Sequence, residues 1–207
     1  MTKLAERRKE LLDSMMREAV YDGAVAVLTK HGLNGMTMDR VAAAAGMAKG
    51  SLYNHFRGKQ ELLEFVRDRV VAPMLETVEE ILRSRGRASD KLASMCRFWR
   101  EYLMKHQAVF EFLINDVTAR RLLSDSEQTT RASGIRQVAA MIEQGIEEGE
   151  FRPVDATAVA EMLVSASIGM VEQEFAAGAM RPVDKAVDAL MGVFLHGLCA
   201  GNGDSQA

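Results

Sequence analysis

Apolar residues recur at helical spacing along almost the whole chain, and no two-residue alternation competes with that pattern. From Leu11 the positions Leu12, Met16, Ala19, Val20, Ala24, Val27 and Leu28 form one stripe, and His31-Gly32 supplies a stop. The spacing predicts a first helix of about five turns. After the break Gly32-Leu33-Asn34-Gly35, Thr37 can cap a second helix that turns Val41, Ala42 and Ala45 inward and ends at Gly46. A very short third helix fits Lys49 to His55, with Phe56-Arg57-Gly58-Lys59 as the next connection. The fourth runs from about Gln60 to Arg83 on an apolar side made of Leu62, Leu63, Val66, Val70, Met74, Leu75, Val78 and Leu82. Pro73 inside it removes a backbone donor and should kink it. Ser84 to Ala88 reads as a loop, and Ser89 can cap a helix with the stripe Leu92, Met95, Cys96, Trp99, Tyr102 and Leu103. Further helices are predicted at about Ala108 to Leu123, Glu127 to Glu148, Asp155 to Ala177 and Val183 to Ala200, punctuated by Gly149, Arg152-Pro153 and Arg181-Pro182.

Composition agrees with an all-α protein: 48% of the 207 residues are hydrophobic, 27% are charged and only three are proline. The residues up to Met16 are dense in charge, and no apolar run reaches membrane-spanning length, so a cytoplasmic protein without a membrane partner is expected. Cys96 and Cys199 each lie in an apolar helical pattern and read as small buried hydrophobes rather than a redox pair. The net charge of −3 hides an asymmetry. Residues 1–60 carry ten Lys/Arg against six acids, a balance of +4, which leaves −7 for the rest. One end of the chain is suited to a polyanion. The Lys3, Arg7, Arg8, Lys9 cluster is interleaved with Glu6 and Glu10 and reads as an ordinary charged helix start rather than a minor-groove arm.

Residues 37–59, T-M-D-R-V-A-A-A-A-G-M-A-K-G-S-L-Y-N-H-F-R-G-K, concentrate the chemistry. Val41, Ala42 and Ala45 are slender enough for two helices to cross closely, and Gly46 supplies the sharp turn between them, which makes a helix-turn-helix. In the second of these helices Leu52 and Phe56 point inward and leave Lys49, Gly50, Ser51, Asn54 and His55 outside. Gly50 keeps the surface low. Ser51 and Asn54 carry donors and acceptors for base edges, and Lys49 and Lys59, with Arg40 nearby, suit phosphates. Nothing comparable supports an enzyme. Gly46 to Ser51 is not a nucleotide loop, because its lysine precedes the glycine, and His31, His55, His106 and His196 are scattered without metal-ligand spacing. No cofactor or metal is expected.

The segment closely resembles the DNA-binding domain of TetR-family regulators, through Thr37, Val41, Ala42, Ala45-Gly46-Met47, Gly50, Leu52-Tyr53, His55-Phe56, Lys59 and Leu62. The resemblance implies a helix-turn-helix three-helix domain over residues 1–58 and a larger C-terminal helical bundle over 59–207 that dimerises and binds an effector. It implies phosphate contacts from Tyr53 and Lys59, and a Thr37 that caps the second helix near the DNA backbone. Ala48 departs from the family, which commonly has Ser or Thr at that recognition-helix cap.

The implied function is a homodimeric repressor on a palindromic double-stranded operator, released by a small molecule. The last two helices have two apolar sides each, which suits a four-helix dimer interface built with Met170, Leu190, Met191, Phe194 and Leu198. Phe98, Trp99, Tyr102, Phe110, Met141 and Met162 are candidates for an effector pocket. No cluster of charge marks a charged ligand, so an apolar or aromatic effector is expected. The rival readings are a helical ligand carrier or enzyme with a degenerate DNA-binding domain, and an architectural DNA binder without a ligand.

Overall fold

The computed structural model describes residues 3–198. Cys199 and the predicted last-helix end at Ala200 lie outside the described residues, as does the side chain of Leu198. The described chain is helical: α1 (Lys3–Gly35), α2 (Met38–Ala44), α3 (Lys49–His55), α4 (Lys59–Arg83), α5 (Ala88–Lys105), α6 (Gln107–Asn115), α7 (Val117–Leu122), α8 (Ser124–Glu147), α9 (Ala156–Ala177) and α10 (Val183–Leu198).

Two compact units are present. Residues 1–71 and 107–123 form the first, and residues 72–106 and 124–207 the second. The sequence reading divides the chain after Gly58. Packing divides it inside α4, between Val71 and Ala72, and groups α6 and α7 with the N-terminal helices.

In the first unit, Val20, Ala24, Val27 and Leu28 of α1 are buried with Val41, Ala42, Leu52, Phe56, Leu62, Leu63 and Val66, the larger part of the predicted stripes, whereas Leu12 is exposed and Met16, Ala19 and Ala45 are partly buried. The first helix starts eight residues before the predicted Leu11. Its early turns were hidden because their apolar residues face outward, with Leu4, Leu11, Leu12 and Met15 all exposed. The predicted stop is where the backbone leaves the helix, at Gly32 with φ 61°.

In the second unit, α5, α8, α9 and α10 close a ring in which each packs on the next. The C-terminal part of α4 adds Val78 to a core that includes Leu92, Met95, Ile142, Phe151, Leu163 and Val187. Two predicted helix ends differ. The helix expected from Ala108 to Leu123 is broken at Asp116, whose carboxylate accepts from the N–H groups of Thr118 (2.8 Å) and Ala119 (3.0 Å) and so caps α7. Ser89 is not a cap but lies in the first turn of α5. Its hydroxyl and N–H both donate to Glu150, which comes from beyond the end of α8. Pro73 lies within the span of the fourth helix on its exposed side, where the carbonyl deprived of a donor can meet solvent.

Candidate nucleic-acid interface

The reading unit rests on two backbone constraints. Gly46 has φ 68°, and its N–H reaches Ala43 O (3.2 Å) while that of Met47 reaches Ala42 O (2.9 Å). These paired bonds close α2 in a Schellman motif and turn the chain sharply into α3. Behind the turn α1 presses close. A Cβ at Gly23 would lie 2.8 Å from Ala45 N and 3.1 Å from Ala45 Cβ, so only glycine allows α1 to approach there. Sequence reasoning missed Gly23, because a glycine inside a helical pattern carries no sign of what it faces.

Thr37 caps α2 as expected, its Oγ1 accepting from Arg40 N–H at 3.2 Å. Arg40 is exposed and its guanidinium donates to Gly35 O at 2.6 Å, which pins the α1 to α2 connection. On α3, Leu52 is fully buried and Phe56 follows it inward. Lys49, Gly50, Ser51, Tyr53, Asn54 and His55 are all exposed. Tyr53 is 45% exposed, so a large part of its ring faces solvent. A Cβ at Gly50 would meet nothing within 4 Å, so the fold makes no steric demand for glycine there. Ala48 provides no side-chain cap for α3.

Two lysines have partners the sequence did not announce. Lys49 pairs with Asp39 at 2.8 Å and places its ammonium 5.9 Å from the Tyr53 ring centroid. Its hydrogen bond to Asp39, with the charge of that carboxylate, raises its pKa further. Lys59 opens α4, rather than closing the preceding loop, and donates to Leu33 O at 2.6 Å while half-buried. Beside it Glu61 reaches back to accept from Arg57 N–H (2.6 Å), in the manner of a capping box. The nine predicted DNA residues therefore occupy one short stretch, and eight of them are exposed. Lys3, Arg7, Arg8 and Lys9 are exposed within regular helix, so they do not form an extended arm.

The predicted effector residues are not brought together. Phe110 is buried in the first unit, Met141 is sealed in the core of the second, and Met162 is 60% exposed on α9. Phe98 and Tyr102 pair along one side of α5, with ring centroids 5.5 Å apart, and Tyr102 pairs in turn with His106 at 4.4 Å. Trp99 alone of the six lines a crevice, between α5, α9 and α10, whose volume of 10 Å³ is about that of one water. Arg100, 3% exposed, shares this wall. Its guanidinium pairs with Glu174, which is 4% exposed, and donates to Arg181 O at 3.1 Å. The Arg181 Nε lies 3.6 Å from Glu174 Oε1. These charges are far apart in sequence, which is why no charge cluster was legible. Cys96 also lines the crevice, and burial pushes its thiol up to about 12.

Of the predicted dimer residues, Met191 is in the core of the second unit rather than on an outer face. Met170, Leu190 and Phe194 are partly buried. The outward apolar positions are instead Met162 and Val193, 60% and 72% exposed, beside exposed Ala166 and Ala189.

Residues 20–66 match the family described as bacterial regulatory proteins, tetR family. The HTH-type transcriptional repressor KstR2 of Mycobacterium tuberculosis is 28% identical over 151 residues, which cover 71% of this chain and 70% of that protein. Among solved structures, the SmeT–triclosan complex superimposes with a TM-score of 0.78 at 18% identity, covering 90% of this chain and 93% of that one. SmeT is the repressor of a Stenotrophomonas maltophilia multidrug efflux pump. FadR from Bacillus subtilis, in complex with stearoyl-CoA, gives 0.74 at 17% identity, with coverages of 87% and 98%. At these identities the structures share the fold. Among the described residues no helix is long and apolar enough to cross a membrane.

Proposed function

We propose that this chain, whose residues 20–66 match the tetR family of bacterial regulatory proteins, is a member of that family and a ligand-responsive transcriptional repressor acting in the cytoplasm as a homodimer on a palindromic operator. The observation that carries this reading is the outer side of α3. Lys49, Gly50, Ser51, Tyr53 and Asn54 stand exposed together above a fully buried Leu52, on a turn locked by Gly46 and Gly23. A helix with an exposed polar face, whose Lys49 is steadied by Asp39, suits a DNA groove. In this assignment residues 1–58 bind DNA, with Ser51 and Asn54 reading bases and Tyr53, Lys49 and Lys59 holding phosphates. Residues 59–207 dimerise and receive the effector. The names of the relatives and neighbours, repressors and complexes with triclosan or stearoyl-CoA, support an effector-released repressor.

The fourth helix connects the two parts. Its residues up to Val71 belong to the first unit and those from Ala72 to the second, and Pro73 follows directly. A position with one fewer backbone hydrogen bond is a natural place for α4 to bend when an effector binds. The effector shifts operator occupancy by its difference in affinity between the two states; a hundredfold difference is about 2.7 kcal/mol. Selecting bound sequences from a random DNA pool tests the proposal. An inverted repeat with half-sites about one helical turn apart, roughly 34 to 36 Å or a multiple, is the expected result. Recovery of no preferred sequence, or of an unrepeated one, would overturn it.

A further inference from the structure

We infer that the second unit binds a small molecule with an apolar body and one carboxylate, seated in the crevice between α5, α9 and α10 with Arg100 as its anchor. This rests on the reading of residues 59–207 as the effector-binding part and replaces the uncharged effector expected from sequence.

Arg100, Glu174 and Arg181 form an incomplete group of charges. Arg100 and Glu174 are both more than nine-tenths buried, and Arg181 adds a second guanidinium beside the same carboxylate. The group is one negative charge short. Its hydrogen bonding is also unfinished: Arg100 Nε has no partner, and Glu174 Oε1 has none within hydrogen-bonding distance. A buried guanidinium nitrogen without an acceptor is costly, and an added carboxylate oxygen would satisfy that donor and balance the charge, while Glu174 Oε1, which a carboxylate cannot serve, faces the Arg181 guanidinium at 3.6 Å.

The rest of the wall selects the remainder of the molecule. Cys96 and Trp99 of α5, Met170 of α9 and Leu190 of α10 are apolar or soft, and Cys96 holds its proton. Ser167 donates its hydroxyl to Leu163 O at 2.8 Å, so that proton is already engaged. Arg100 is the charged donor of this lining, beside the neutral indole N–H of Trp99, so it is the group that recognises an anion here, and the apolar walls disfavour a sugar or a phosphate. The crevice as it stands has room for about one water. A ligand must widen it. The contact that yields is the one from Arg100 to Arg181 O, which ties α5 to the connection between α9 and α10. Binding would thus act on the helices that carry the exposed Met162 and Val193.

Trp99 is the chain's single tryptophan and lines the crevice, so its emission reports occupancy directly. The experiment titrates the full-length protein with phenylacetate, 4-phenylbutyrate and octanoate, each against its primary amide. The expected result is a saturable change with at least one acid, binding at least about tenfold tighter than its amide, or about 1.4 kcal/mol. The paired change Arg100→Met with Glu174→Met removes both charges together and should abolish the preference. Arg100→Lys keeps a cation for Glu174 but loses the unpartnered Nε, and should bring the acid towards its amide even if the paired variant fails to fold. Acids and amides binding alike, no saturable change at millimolar concentration, or an undiminished preference in Arg100→Lys would overturn the inference. Operator affinity is measured separately. An acid that titrates Trp99 without releasing DNA refutes induction and leaves the carboxylate site standing.

Discussion

Lys59 meets two demands with one ammonium group. One of its N–H donors holds Leu33 O at 2.6 Å, tying α4 to the end of α1, while the other two remain for a phosphate. Lys59→Ala should therefore lower both thermal stability and affinity for every DNA sequence, and reduce the slope of log affinity against log salt by about one per site. Tyr53→Phe removes only a hydroxyl from an exposed ring and should weaken all sequences alike with the melting temperature unchanged. Ser51→Ala and Asn54→Ala should instead alter which sequences are preferred. Salt-dependent binding titrations decide it; an unchanged slope in Lys59→Ala ends the clamp assignment. A different residue sets a pH dependence. Burial raises the pKa of Glu150, but hydrogen bonds from the Ser89 hydroxyl and N–H, the charge of Arg87 and the Ala88 N–H outweigh it, and the net shift is downward. A depressed carboxylate stabilises fully above its unfolded-state pKa and loses that contribution as pH falls through the folded value. The stability gap between wild type and Glu150→Gln should be widest at neutral pH and close in acid, measured by urea unfolding. A gap independent of pH would contradict this role for the charge.

Helix ends divide into those a local sequence can specify and those it cannot, and two glycines in α8 make a similar contrast. Gly145 lies against the buried Phe151 ring, and a Cβ there would press into that ring and come within 2.9 Å of Ala88 Cβ. Gly134 faces open space. Gly134→Ala should stabilise by about 0.5 to 1 kcal/mol from helix propensity alone. In Gly145→Ala the same gain is outweighed by overpacking of about 1 to 3 kcal/mol, so its melting temperature should fall. Calorimetry on the pair tests the geometry, and equal shifts in one direction would count against it. The same local-versus-distant distinction explains what the sequence revealed. Thr37 and Gly46 act within a few residues, so the bounds of α2 and α3 could be read from them. Ser89 was misread because Glu150, sixty-one positions away, covers the start of α5. The outward positions on α3 were legible because helical spacing from the buried Leu52 is enough to place them. The Arg100 and Glu174 pair spans seventy-four positions and forms only when α5 meets α9. Aromatic residues at helical spacing pointed to a pocket, yet spacing cannot say which ones share a cavity. Trp99 does, whereas Phe110 and Met141 are core.

At the scale of the molecule, α9 and α10 carry the argument for a dimer. Each has one side in the core of the second unit, through Ala160, Leu163, Val187 and Met191, and an outer side with Met162, Ala166, Ala189 and Val193 exposed. A chain that leaves Val193 72% exposed beside small residues has a surface on which a second copy can pack closely. Helices of 22 and 16 residues extend about 33 and 24 Å, enough with their copies for an interface of standard size, about 1,200 to 2,000 Å². The broad apolar coverage predicted two apolar sides on each helix, but the face assigned to Met191 belongs to the core, and that difference supplies a control. Val193→Asp adds a charge to the outer side only, so it should yield a folded monomer with unchanged helical circular dichroism. Met191→Asp buries an unpaired carboxylate and should unfold the second unit instead. A monomer holds one half-site at a time, so Val193→Asp should also lose most of its affinity for a two-half-site operator while binding an isolated half-site as wild type does. Light scattering at micromolar concentration reads the first effect and gel-shift titration the second. A monomeric wild type, or a Val193→Asp variant that remains dimeric, would place the interface elsewhere.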